Sequence, residues 1–192
     1  MEPQVLASIG AALAVGGASI FAAVVGWLHA SRRDLNPRDK GISHYAVGRT
    51  HMVMTVAFVV LAIGLVGVVI ATVERIQINS AGVIAVVSAA LGLLIVAVVP
   101  VPGAHAARWR GPVHTAGALV FLVASALGAS LVSTQVGPVA ANVARTVVGA
   151  VGLFLLGMAG VPGLWFIRGW LQRGCFAAIV GWLLVVGWQF AS

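Results

Sequence analysis

Six stretches of this chain are apolar and unbroken: Val5 to Leu28, His51 to Val73, Ile78 to Val99, Val113 to Val136, Val139 to Val161 and Trp170 to Phe190. No other feature restricts the fold so severely. Crossing a hydrocarbon layer of roughly 30 Å takes about 20 residues at a helical rise of about 1.5 Å, and each run is about that long. In lipid every backbone N–H and C=O must be satisfied within the protein, so a spanning segment is a helix or a strand of a closed barrel. Barrel strands alternate apolar and polar residues. These runs do not alternate, which leaves helices. A soluble domain would carry about 25% charged residues, whereas this chain carries 8% against 61% hydrophobic. The expectation is an all-α polytopic membrane protein, a single six-transmembrane-helix bundle over residues 1–192.

The charges that remain are concentrated. Seven of the 15 charged residues and three of the five histidines fall in "HASRRDLNPRDKGISHYAVGRTH", His29 to His51. The first, third and fifth loops hold Arg32, Arg33, Arg38, Lys40, Arg49, Arg108, Arg110, Arg168 and Arg173, and the opposite side holds only Arg75 and Arg145. Lys and Arg accumulate on the cytoplasmic side of short loops. Nine against two therefore predicts a multi-pass protein of the cell inner membrane with both termini extracytoplasmic. The N-terminal run has Glu2 in place of a basic n-region and is followed by Arg32 and Arg33, so it reads as a retained helix rather than a signal peptide. The net charge of +7 points to anionic lipid headgroups at the inner leaflet, with Arg49, Arg108 and Arg110 as contacts, and not to nucleic acid. Partner membrane subunits are compatible with such a bundle.

Within the runs, small residues recur at four-residue spacing, as in Ala18, Ala22 and Gly26 or Ser88 and Gly92. Such spacing lets helix backbones approach closely. Trp27, Trp109, Trp165, Trp170 and Trp188 fall where interfaces are expected, whereas Trp182 lies deeper, between helices. The lone Cys175 reads as a small buried residue. A weak internal repeat pairs "GRTHMVMTVAF" with "GPVHTAGALVF", aligning Gly48, His51 and Phe58 with Gly111, His114 and Phe121.

Chemistry has few carriers. Glu2, Asp34, Asp39 and Glu74 all lie in loops or termini, so no run contains the carboxylate that proton relays use. Ser125 lies roughly 16 Å along the helix from His114, too far for a serine–histidine pair. All five histidines, His29, His44, His51, His105 and His114, map to the cytoplasmic edge. His51 and His114 stand in first helical turns, where the dipole favours neutral imidazole, the form that ligates metal or haem iron. They are the candidate metal pair, for haem alone or for zinc with His44 or His105 and Asp39. Interfacial packing of the same rings needs no cofactor at all, and none is required. In the first loop, Asn36-Pro37 starts a turn, and Gly41 and Gly48 allow a tight backbone that folds Ser43 and Tyr45 back against the bundle.

Three stretches carry a resemblance: "DLNPRDKGISHYAVG", "PVHTAGALVFLVASALGASL" and "GWLQRGCFAAIVGWLLVV". They resemble a large group of uncharacterised six-helix prokaryotic membrane proteins, the domain of unknown function 998. The resemblance rests on Ile42 and Ser43 after the Asn-Pro turn, His114 at the head of helix four, and Gly169, Gln172 and Arg173 before helix six; Arg49 and His51 lie outside it. It implies six helices and no particular activity. The expected site is polar and cytoplasmic, formed by Ser43, His51, His114, Gln172 and Arg173. The leading reading is a non-catalytic binding or accessory component. Its alternatives are a haem redox protein, a metal-dependent membrane hydrolase and a small-solute transporter.

Overall fold

The structure, a computed structural model, describes residues 2–73, 80–101 and 107–191. Among these residues six helices are long and apolar enough to cross a membrane. They are α1 (Pro3–Ser31), α2 (His51–Val73), α3 (Ser80–Val98), α4 (Arg110–Val136), α5 (Pro138–Met158) and α6 (Arg168–Ala191). The protein is an all-α, six-span membrane bundle. Helix α4 begins three residues before its apolar run because Pro112 sits in the first turn, where its missing N–H is not needed. Helix α5 stops at Met158, short of Val161, because Gly160 turns to φ +86° and Pro162 follows.

The helices form a ring in which each packs on its neighbours in sequence and α6 closes against α1, while α6 also touches α2 and α4 across the middle. At the centre Phe176 of α6 packs against Phe21, Phe58 and Phe121, with ring centroids 5.3, 6.1 and 5.2 Å away. Trp182 is fully buried deeper on α6, and its indole N–H donates to the Ser133 hydroxyl at 2.8 Å. A buried indole needs such a partner. Cys175 is buried beside the Ala150 carbonyl.

Close approach, not bulk, joins the helix pairs. A Cβ on Gly10 would lie 2.5 Å from backbone atoms of Gly67 and Ala71, and one on Gly92 would lie 2.6 Å from the Phe121 nitrogen. Packing of this kind is what drives helix association in lipid. The Ala18, Ala22, Gly26 stripe is divided, however: Ala18 is buried, while Ala22 and Gly26 face outward. Large apolar side chains such as Met52, Ile84 and Phe166 are exposed, as a lipid-facing surface requires. Trp27, Trp109, Trp165, Trp170 and Trp188 are exposed too.

The two halves of the internal repeat bring both Phe58 and Phe121 against Phe176. Their starts differ. Gly48 has φ +74° and lies outside α2, whereas Gly111 is inside α4. As a result His114 is buried and His51 only half-buried. Six crossings return the chain to the end where it began. The other end carries Arg32, Arg33, Arg38, Lys40, Arg49, Arg108, Arg110, Arg168 and Arg173, and is called the basic end below.

Candidate functional site

At the basic end the segment between α1 and α2 is a folded structure. Arg32, only 9% exposed, grips Asp34 through two parallel contacts, Nε to Oδ1 and Nη2 to Oδ2, each 2.8 Å. This paired geometry is the strong form of a charged hydrogen bond. It holds the Asp34 carboxylate below its ordinary range and raises the Arg32 pKa. The remaining Arg32 nitrogen donates to the Val47 carbonyl and to Thr50 Oγ1, and the Thr50 hydroxyl donates to the Tyr45 carbonyl at 2.6 Å. The Asn36 side chain caps the turn by accepting from the Arg38 N–H at 3.0 Å. Two 3-10 turns follow, Ile42–Ala46 and Gly48–Thr50, with Ile42, Ser43, Tyr45 and Ala46 buried.

This segment is fastened to the start of α6. The free N–H of Gly169 donates to the Arg38 carbonyl at 2.9 Å, satisfying one of the orphan donors of a helix N-terminus. No other residue fits at 169, since a Cβ there would lie 2.4 Å from the Pro37 oxygen. Arg173 then acts as a clasp. Its Nη1 donates to the carbonyls of Pro37 at 3.1 Å, Lys40 at 2.7 Å and Gly169 at 3.0 Å, and its Nη2 donates to the Tyr45 hydroxyl at 2.9 Å. Gln172 lies directly against Gly41, where a Cβ would overlap its carboxamide.

Docking the segment in this way leaves a pocket of about 430 Å³ between it and helices α4, α5 and α6. Its polar side is made by Asp39, Ser43, His44, His114, Thr115, Arg168 and Gln172, and its apolar side by residues such as Leu119, Leu122, Phe154 and Met158. His114 is held by a 2.7 Å bond between Nδ1 and the Val99 carbonyl. A carbonyl only accepts, so Nδ1 carries the proton and Nε2 is left as an acceptor in the neutral ring. Asp39 Oδ1 and Gln172 Oε1 are buried without a hydrogen-bond partner. Unpaired buried acceptors cost about 1–3 kcal/mol each and call for an explanation. His44 is held below its ordinary pKa, first by burial and then by the nearby charge of Lys40. The polar side thus sets the acceptors of Asp39, His114 and Gln172 beside one cation, Arg168, whose Nη1 donates to the Trp165 carbonyl at 3.3 Å.

Ser43, His114 and Gln172 of the expected set share this pocket. Arg173 does not line it; it faces a second cavity between α1 and α6. His51 lines neither. Arg49, Arg108 and Arg110 are exposed around the same end, with Arg110 lying 5.7 Å from the Trp109 ring centroid. Among the described residues no three His, Cys, Asp or Glu side chains gather closely enough to hold a metal ion; His105, Glu74 and Arg75 lie outside those residues. Ser125 is buried in the bundle, away from the pocket.

The model of a protein family described as "Protein of unknown function (DUF998)" matches residues 10–189. The chain belongs to the DUF998 family. Comparison with curated proteins found no match, and comparison with solved structures found none. The matched span of this DUF998 protein includes all five helix connections and both cavities. Sequence reasoning noticed Tyr45 but not its role as the joint between the first loop and α6, and it missed the α1–α6 cavity altogether. The available signal was that Tyr45 is the chain's only tyrosine. The outward Ala22 and Gly26 read equally well as packing positions.

Proposed function

We propose that this DUF998 protein is a membrane-embedded binding component whose site is the acceptor-rich pocket, opening to the cytoplasm of a cell with the basic end inside and both termini outside. The observation that carries the reading is the convergence of Ser43, His114 and Gln172, from three separate segments, on one cavity that Asp39 also lines. Acceptors require donors. The ligand class that suits them is a hydroxyl- or amine-bearing head on an apolar body, the head among Asp39, His114 and Gln172 and the body along Leu119, Leu122 and Phe154. The nine-to-two distribution of Lys and Arg supports the orientation, and Arg49, Arg108 and Arg110 would meet anionic headgroups around it.

The test is to extract purified wild type and an Ala118→Phe variant, which fills the pocket from α4, and to compare the released small molecules by mass spectrometry. An amphiphile with hydroxyl or amine groups is expected with wild type at least about tenfold above the variant, the factor equivalent to about 1.4 kcal/mol. Identical extracts would sink the reading. An absorption spectrum and metal analysis of the same wild-type material test the haem and zinc alternatives.

A further inference from the structure

The second cavity, about 490 Å³, runs along the seam between α1 and α6 and has the opposite chemistry. Phe21 and Phe176, stacked at 5.3 Å, lie along it. Its walls are low because Ala22 and Gly26 stand on α1 and Gly181 on α6. A Cβ on either glycine would meet nothing within 4 Å. On α6 the lining runs from Trp170 to Leu184, a rise of about 21 Å, which is the depth of one leaflet with its headgroup region, half of roughly 40–45 Å.

The polar end of this groove is closed by His29, Trp170 and Arg173. Arginine only donates, so Tyr45, fully buried, receives the Arg173 Nη2–H at 2.9 Å and places its own proton toward His29 Nδ1 at 3.1 Å. With Tyr45 as the donor, His29 Nδ1 accepts and the ring N–H lies on Nε2. The groove end is thus lined by the His29 imidazole, the Trp170 indole and the Arg173 guanidinium, whose Nε is buried without a partner. The sole ion pair among the described residues is Arg32 with Asp34, so the Arg173 charge meets only carbonyls, the Tyr45 hydroxyl, and the Tyr45 and Trp170 rings.

We propose that the α1–α6 groove is a binding site for one anionic glycerophospholipid, with an acyl chain between α1 and α6 and its phosphodiester against His29, Trp170 and Arg173. Charge complementarity selects the head: donors and an uncompensated cation suit a phosphate whose lipid carries no compensating ammonium. Depth selects the body, since the groove spans one leaflet. The site is separate from the acceptor-rich pocket, and its failure would leave that pocket's reading intact.

The full-length protein is reconstituted in nanodiscs of equal parts phosphatidylglycerol and phosphatidylcholine, released, and weighed by native mass spectrometry with its retained lipid. Wild type is expected to keep one phosphatidylglycerol in preference to phosphatidylcholine by about tenfold, the worth of one charge-assisted contact. Gly26→Leu and Gly181→Leu, which fill the groove from open positions, should lose that lipid, while Gly152→Leu, open on α5, should keep it. His29→Phe removes a donor to the phosphodiester that both lipids share and should lower retention of both without altering the preference, which the Arg173 charge sets. Equal retention of both lipids by wild type would overturn the proposal. So would retention by the groove-filled variants, or a change in their oligomeric state with no lipid bound in wild type, which would make the groove a protein interface.

Discussion

Arg173 is the residue on which the basic end depends, because one guanidinium joins three carbonyls and a tyrosine from segments more than 120 positions apart in sequence. Arg173→Lys keeps the charge but not the fork, so the carbonyl contacts survive in part and the Tyr45 contact is lost. Hydrogen bonds to charged groups contribute about 1.5–3 kcal/mol. A loss of about 2 kcal/mol is expected for the lysine variant and more for Arg173→Ala, read as a lower Tm in detergent; an unchanged Tm for both would contradict the clasp. His44 adds a pH dependence. Its folded pKa lies below the ordinary 6.5, so on acidification the unfolded chain takes up this proton before the folded one does. The stabilisation is complete above pH 6.5 and falls away as the pH drops below it. His44→Gln should flatten the Tm profile below that point, and an unaltered slope would show that the imidazole is solvated. Ser43, His114 and Gln172 were legible in sequence as polar groups heading toward one end. The contact between Tyr45 and His29 was not, because a hydrogen-bond relay between positions 16 apart leaves no pattern in a linear reading.

At the scale of elements, composition and run length located all six helices, since a spanning segment has no alternative to a helix here. Ends moved by a few residues where Pro112, Gly160 and Pro162 set local rules that apolarity does not register. Pairing was less legible, because small residues mark close helices and empty grooves alike. Gly10 faces the backbone of α2 and Gly149 faces open space. Gly10→Leu should therefore overpack the α1–α2 seam and cost about 1–3 kcal/mol, while Gly149→Leu should stay within about 0.5 kcal/mol. Thermal unfolding in detergent distinguishes them, and equal effects would place the two glycines in equivalent surroundings.

For the whole molecule, the distribution of basic residues and the packing of the first loop are two aspects of one arrangement. Of the charges that crowd this loop, Arg32 is committed to holding its shape, whereas Arg33 and Arg49 are exposed. The same segment walls the acceptor-rich pocket and, through Tyr45 and Arg173, shapes the end of the donor-rich groove. Whether that loop is docked on α6 and faces the cytoplasm is the central question. It is answered by the rate at which a membrane-impermeant maleimide labels a single cysteine in a Cys175→Ala background. Arg33→Cys and His44→Cys should both react in inside-out vesicles and neither in right-side-out ones. His44→Cys should react at least about tenfold more slowly, the ratio that about 1.4 kcal/mol of docking would give, and adding Gly169→Val should abolish the difference by undocking the loop. Labelling from the outside, or equal rates at positions 33 and 44 with Gly169 intact, would contradict the account.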